Sequence, residues 1–142
     1  MKISAWKSIA GALATNKCKL RRHISRTDLC PLCGSMVEDS LHALVTCDHA
    51  ARLWNRMREC WVLPGNSILV NSGDDWLLNV LAACSEVERN NVLMLTWRVW
   101  QLRSDAVHGK EIATIEASAS FLESYMESIT QTKYYSVDEI IK

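Results

Sequence analysis

Long apolar runs are missing from this chain of 142 residues, and so are most of the residues that interrupt helices. No stretch reaches the roughly 18 consecutive apolar residues that a membrane-spanning helix requires. The segment from Ile9 to Ala14 is too short for the apolar core of a secretory signal and runs at once into basic residues, so no leader is expected. Only two prolines and five glycines occur, and alternating β-branched stretches are scarce, so the periodicities that remain are helical. An excess of charge of one sign is also absent, because 16 Lys and Arg balance 16 Asp and Glu. That balance is a cancellation. Residues 1–63 carry ten basic against five acidic side chains, and residues 64–142 carry six against eleven. Such a division suggests two faces with different partners, solvated helix faces being the plainer reading.

What is present is apolar content and cysteine. The 49% hydrophobic fraction is that of a globular chain able to bury a core. Six cysteines without a signal segment point to a reducing, intracellular setting, nucleus or cytoplasm unresolved.

The apolar spacing predicts an all-α fold. Ile3, Trp6, Ile9, Ala10 and Leu13 make a first amphipathic helix. Thr15 caps a short basic helix through Cys18 to His23, Cys30 to Gly34 is a tight turn, and Leu41 to Thr46 is a short helical piece. A longer helix spans Ala50 to Trp61 and stops before Pro64-Gly65. Asp74 or Asp75 caps a helix through Trp76, Leu77, Val80, Leu81 and Cys84. Ser85 and Glu88 form a capping box that opens the strongest helix, with Val92, Leu95, Val99 and Leu102 on one stripe and Gly109 as its stop. A last helix carries Ile115, Leu122, Tyr125, Met126 and Ile129. The expectation is one domain over 1–142, with a zinc-binding module over 15–61, a helical part over 74–131 and a tail over 132–142 that frays.

The chemistry lies in Cys30-x2-Cys33-x8-His42-x4-Cys47. Two thiolates two residues apart grip one ion from a single turn, and Gly34 lets the backbone bend beneath the sulfurs. His42 and Cys47 complete a tetrahedral set of three sulfurs and one nitrogen, which selects Zn²⁺ over hard cations. Four protein ligands leave no position open for water or substrate, so the site reads as structural and the chain as no enzyme. Two rival readings stay open: a redox Cys-x-x-Cys, disfavoured because no preceding strand is visible, and four buried residues without a ligand. His49, two residues after Cys47, is an alternative to His42 as the imidazole ligand. Cys18, Cys60 and Cys84 read as small core residues or free thiols, and His23 and His108 have no nucleophile or acid beside them.

The run Leu13 to Lys17, Leu20-Arg21-Arg22, Cys30-Pro31-Leu32-Cys33-Gly34, Glu38, His42-Ala43-Leu44, Cys47, Ala50 and Leu53-Trp54 resembles the zinc-binding domain of plant non-LTR (LINE-type) retrotransposon reverse transcriptases. The stretch Val92 to Asp105 resembles the helix that follows that domain ahead of an RNase H-like domain. The resemblance spans about Trp6 to Tyr125. It implies a domain that helps hold RNA or DNA near a polymerase. The polymerase's own metal-binding Tyr-x-Asp-Asp is not matched, since the only adjacent aspartates, Asp74-Asp75, follow a glycine, and no RNase H carboxylate set appears. The expectation is therefore a standalone piece of such an element.

Two functions follow. Lys17, Lys19, Arg21, Arg22, His23 and Arg26 form a basic patch beside the knuckle, continued by Arg52, Arg56 and Arg58, which suits RNA or DNA. All six tryptophans also fit core positions, so no stacking platform is identifiable. Alternatively, the apolar helices over 86–108 and 112–131 expose a face for a protein partner or a second copy. No membrane contact is expected.

Overall fold

The computed structural model describes residues 13, 15–65, 67, 69 and 75–141, with side chains through residue 128. The helix read over Ile3 to Leu13 lies outside these residues except for Leu13, which is buried.

Thr15 opens helix α1 (Asn16–Arg21): its backbone is extended, and its hydroxyl accepts the Cys18 N–H. The expected Thr15 cap therefore holds, and the helix ends two residues before His23. It stops there because His23 turns left-handed (φ 59°), with His23 N–H on Leu20 O and Ile24 N–H on Lys19 O. This is a Schellman ending, with histidine at the position glycine normally takes.

The chain then forms a narrow ribbon. Leu29 pairs with Val37 in one antiparallel bridge, Cys30 N–H reaches Met36 O at 2.7 Å, and Glu38 N–H reaches Asp28 O at 2.7 Å. Cys30 to Gly34 is the turn at its tip, closed by Gly34 N–H on Cys30 O, and Gly34 takes φ 71°. A Cβ there would meet nothing within 4 Å, so the backbone angle, not crowding, is what calls for glycine.

Leu41 leads into a π-helical turn over His42–Thr46, closed by Cys47 N–H on His42 O at 2.9 Å. Cys47, extended in turn, is the N-cap of α2 (Asp48–Arg58), with Asp48 in its first turn. This helix starts and ends earlier than the expected Ala50 to Trp61. Helix α3 (Trp76–Ala83) and helix α4 (Glu86–Val107) follow. Ser85 accepts the Glu88 N–H and donates its hydroxyl to Glu88 Oε1, so the capping pair closes through side chains. Gly109 (φ 70°) ends α4 as expected. Helix α5 (Ile115–Ile141) runs beyond Ile129 through most of the stretch expected to fray, because no Gly or Pro lies between its ends to stop it.

Every element of the described residues is thus helical apart from the single bridge. The core forms where Ala50, Leu53, Trp54 and Met57 of α2 meet Leu44 and Val45 of the π turn and Val92, Leu95, Val99 and Leu102 of α4, with Ala119 and Leu122 of α5 closing over them. The apolar stripe of α4 that could have faced a partner is therefore buried in the chain itself. The two fully buried indole N–H groups are matched: Trp54 donates to Leu44 O at 2.8 Å and Trp76 to Ser40 Oγ at 2.9 Å.

One polar contact crosses the core. Glu38 is 0% and Arg103 3% exposed, and they form a two-pronged ion pair, Nε to Oε2 at 2.9 Å and Nη2 to Oε1 at 2.6 Å. Asn16 N–H adds a third donor at 2.7 Å, and the Arg103 guanidinium lies over the Trp100 ring, 4.7 Å from its centroid. Glu38 belongs to the ribbon and Arg103 to α4, so the pair fastens the knuckle to the helical part.

Candidate metal centre

The ribbon turn supplies Cys30 and Cys33, the π turn supplies His42 from its first position, and Cys47 ends that turn as it caps α2. The structure brings these four together: their ligand atoms all lie within 4.8 Å of one another. Cys30 Sγ is 3.8 Å from Cys47 Sγ, and Cys33 Sγ is 3.4 Å from His42 Nε2. A tetrahedral Zn²⁺ with bonds of about 2.3 Å to sulfur and about 2.0 Å to nitrogen has S···S edges of about 3.8 Å and S···N edges of about 3.5 Å. These two edges therefore match a zinc coordination shell. All six cysteines are free, so no disulfide competes for these sulfurs. The donor set fits the metal.

Local bonds prepare each ligand. His42 Nδ1 lies 3.1 Å from Thr46 Oγ1, an arrangement in which Nδ1–H donates to the hydroxyl and Nε2 keeps its lone pair toward the sulfurs. His42 N–H is held by Asp39 Oδ1 at 2.8 Å. Cys33 is the one exposed ligand. Its thiol is lowered to about 6, first by the Ser35 backbone N–H and then by the Ser35 hydroxyl, which lies 3.6 Å from the sulfur. Burial pushes the Cys47 thiol up to about 12, and the neighbouring Cys30 adds to that. A bound Zn²⁺ would oppose the second effect, since a cation there favours deprotonated thiols.

His49, the alternative imidazole, is not in the group. Its Nε2 is buried with no hydrogen-bond partner among the described residues, and burial lowers its pKa to about 4. Burial thus disfavours its charged form. Cys84 is a core residue, Cys18 is half-buried on α1, and Cys60 is exposed, its thiol donating to Glu123 Oε1 at 3.0 Å.

The basic residues divide sharply. Arg21, Arg22 and Arg26 are exposed, Lys17 and Lys19 half-buried, and none of the five takes part in an ion pair among the described residues. Arg56 is instead held by Glu116 and Glu59, and Arg58 donates to Pro64 O while lying over Trp54. These two do not extend the free basic surface.

Sequence reasoning missed Thr46 and Ser35, although each sits at a readable spacing, four residues after His42 and two after Cys33. It gave Glu38 and Arg103 no role, and residues so far apart in the chain leave no local signal.

No helix among the described residues is long and apolar enough to cross a membrane. No curated protein and no solved structure matches the chain. Residues 1–54 match the family model described as zinc-binding in reverse transcriptase, and together with the Cys30, Cys33, His42 and Cys47 cluster this supports a reverse-transcriptase zinc-binding domain in this part of the chain.

Proposed function

We propose that the chain is a non-catalytic domain of the LINE-type reverse-transcriptase kind, held in shape by one Zn²⁺, that associates with RNA or DNA through α1 and the loop after it. Cys30, Cys33, His42 and Cys47 would all be taken up by the ion, which leaves no position for a substrate. The observation that carries the nucleic-acid reading is the division among the basic residues. Arg56, Arg58, Arg89, Arg98 and Arg103 are bonded within the fold. Among the described residues Lys17, Lys19, Arg21, Arg22 and Arg26 make no ion pair and cluster within ten residues of sequence beside the knuckle, whereas Arg52 and Lys110, equally without an ion pair, lie outside that cluster. Unpaired cations grouped on one short element are what phosphate contacts require.

The test is a salt titration. The association constant for a labelled oligonucleotide, followed by anisotropy, should fall with rising salt, with a log–log slope of about −0.7 to −0.9 for each phosphate neutralised. Arg21→Ala with Arg22→Ala should flatten that slope by about one to two. Absence of binding at low salt, or a slope unchanged in the double variant, defeats the reading.

A further inference from the structure

The basic surface is also apolar. Leu20 (37% exposed), Ile24 (71%), Leu29 (39%), Met36 (58%) and Val37 (43%) all lie on α1, the following turn and the ribbon. The segment 16–37 also carries five Lys and Arg against one acid, Asp28. Scattered exposed apolar residues are ordinary, but these are tied together. Asn16 Nδ2 donates to Leu29 O at 2.6 Å and Lys17 N–H to Glu38 O at 3.1 Å, which holds α1 against the ribbon. Leu29 and Val37 are bridge partners, so their side chains leave the ribbon on the same side. Ile24 follows the left-handed His23, whose turn carries it back over the end of α1, next to Arg21 and Arg22 in sequence.

A duplex offers such a surface phosphates but keeps its base faces stacked inside. It would engage the cations and leave the aliphatic side chains in water. An unpaired strand offers both chemistries, a charged backbone and exposed apolar base faces. We infer that this face takes single-stranded or unpaired RNA or DNA, with phosphates on the five cations that make no ion pair among the described residues and bases against Ile24 and the Leu29–Val37 pair. The inference rests on the nucleic-acid reading above and narrows it to a class of strand.

The experiment uses the full zinc-loaded chain and labelled RNA of about 16 nucleotides, unstructured or annealed to its complement, with Ile24→Ser/Val37→Ser beside the wild type. The single strand should bind on the order of tenfold more tightly than the duplex, and the double variant should erase that preference without changing the salt slope. Both substitutions are at exposed positions, and unchanged helical signal and zinc content show that the variant is folded. Equal binding of the two forms, with the variant unaffected, overturns the inference while leaving nucleic-acid association standing. Binding of neither form at low salt overturns both. Capture of a labelled polyglutamate peptide with no RNA bound likewise overturns both and identifies the face as one for acidic protein.

Discussion

Replacing Arg103 with Met tests whether the ion pair across the core holds the knuckle in place. The substitution removes both donors of the guanidinium and leaves the Glu38 carboxylate, 0% exposed, with only the Asn16 N–H. A buried charge stripped of its partner costs about 3–5 kcal/mol. Loss of the cation over Trp100 adds about 0.5–2 kcal/mol. Set against the roughly 5–15 kcal/mol of a whole domain, the first figure is a large share. Glu38→Leu alone should cost a similar amount, since it strands the arginine instead. The double variant Glu38→Leu/Arg103→Met buries no charge and loses the acceptor of Asn16 N–H, worth about 1–3 kcal/mol, along with the cation over Trp100. It should therefore be more stable than either single variant. Urea denaturation followed by far-ultraviolet circular dichroism, with zinc in excess, measures all four proteins. Single variants that lose under about 1 kcal/mol, or a double variant whose loss equals the sum of the two, would refute the reasoning.

Three further outcomes are expected. Cys33→Ala should abolish zinc retention on native purification, by elemental analysis, and lower the helical signal, because structural zinc contributes to folding. Thr46→Val should keep the fold but weaken zinc affinity about 10–100-fold in a chelator competition, since it takes away the partner of His42 Nδ1. His23→Gly should raise the denaturation midpoint by the equivalent of up to about 1 kcal/mol, because φ 59° is strained for a side chain bearing a Cβ.

Much of the fold was legible because its signals are local. Thr15 and Ser85 mark helix starts through hydroxyls that bond three residues ahead, and Gly109 marks a stop through its backbone angle. The knuckle was legible for the same reason, since Cys30 and Cys33 share one turn. Boundaries slipped where a cap was not recognised: His23 ended α1 as glycine would, and Cys47 capped α2 although it is also a ligand candidate. The free basic surface was only partly legible. Arg56 and Arg21 look alike in sequence, and only packing shows that one faces Glu116 while the other faces water. The Glu38–Arg103 pair was out of reach, because two ordinary charged residues become partners only once the ribbon and α4 have met. The stretch matched by the family model ends at residue 54, on one side of that contact.

The π turn between His42 and Cys47 has a consequence for variation. Its ring closes from Cys47 N–H to His42 O, so the four residues between the two donors are the ring's own length. Exchanging Ala43 or Val45 would disturb packing by degrees. Adding or dropping one residue would rotate Cys47 about 100° around the helix axis and carry its sulfur off the site. This segment therefore tolerates substitution far better than any change of length: the spacing in the motif is a dimension of the backbone.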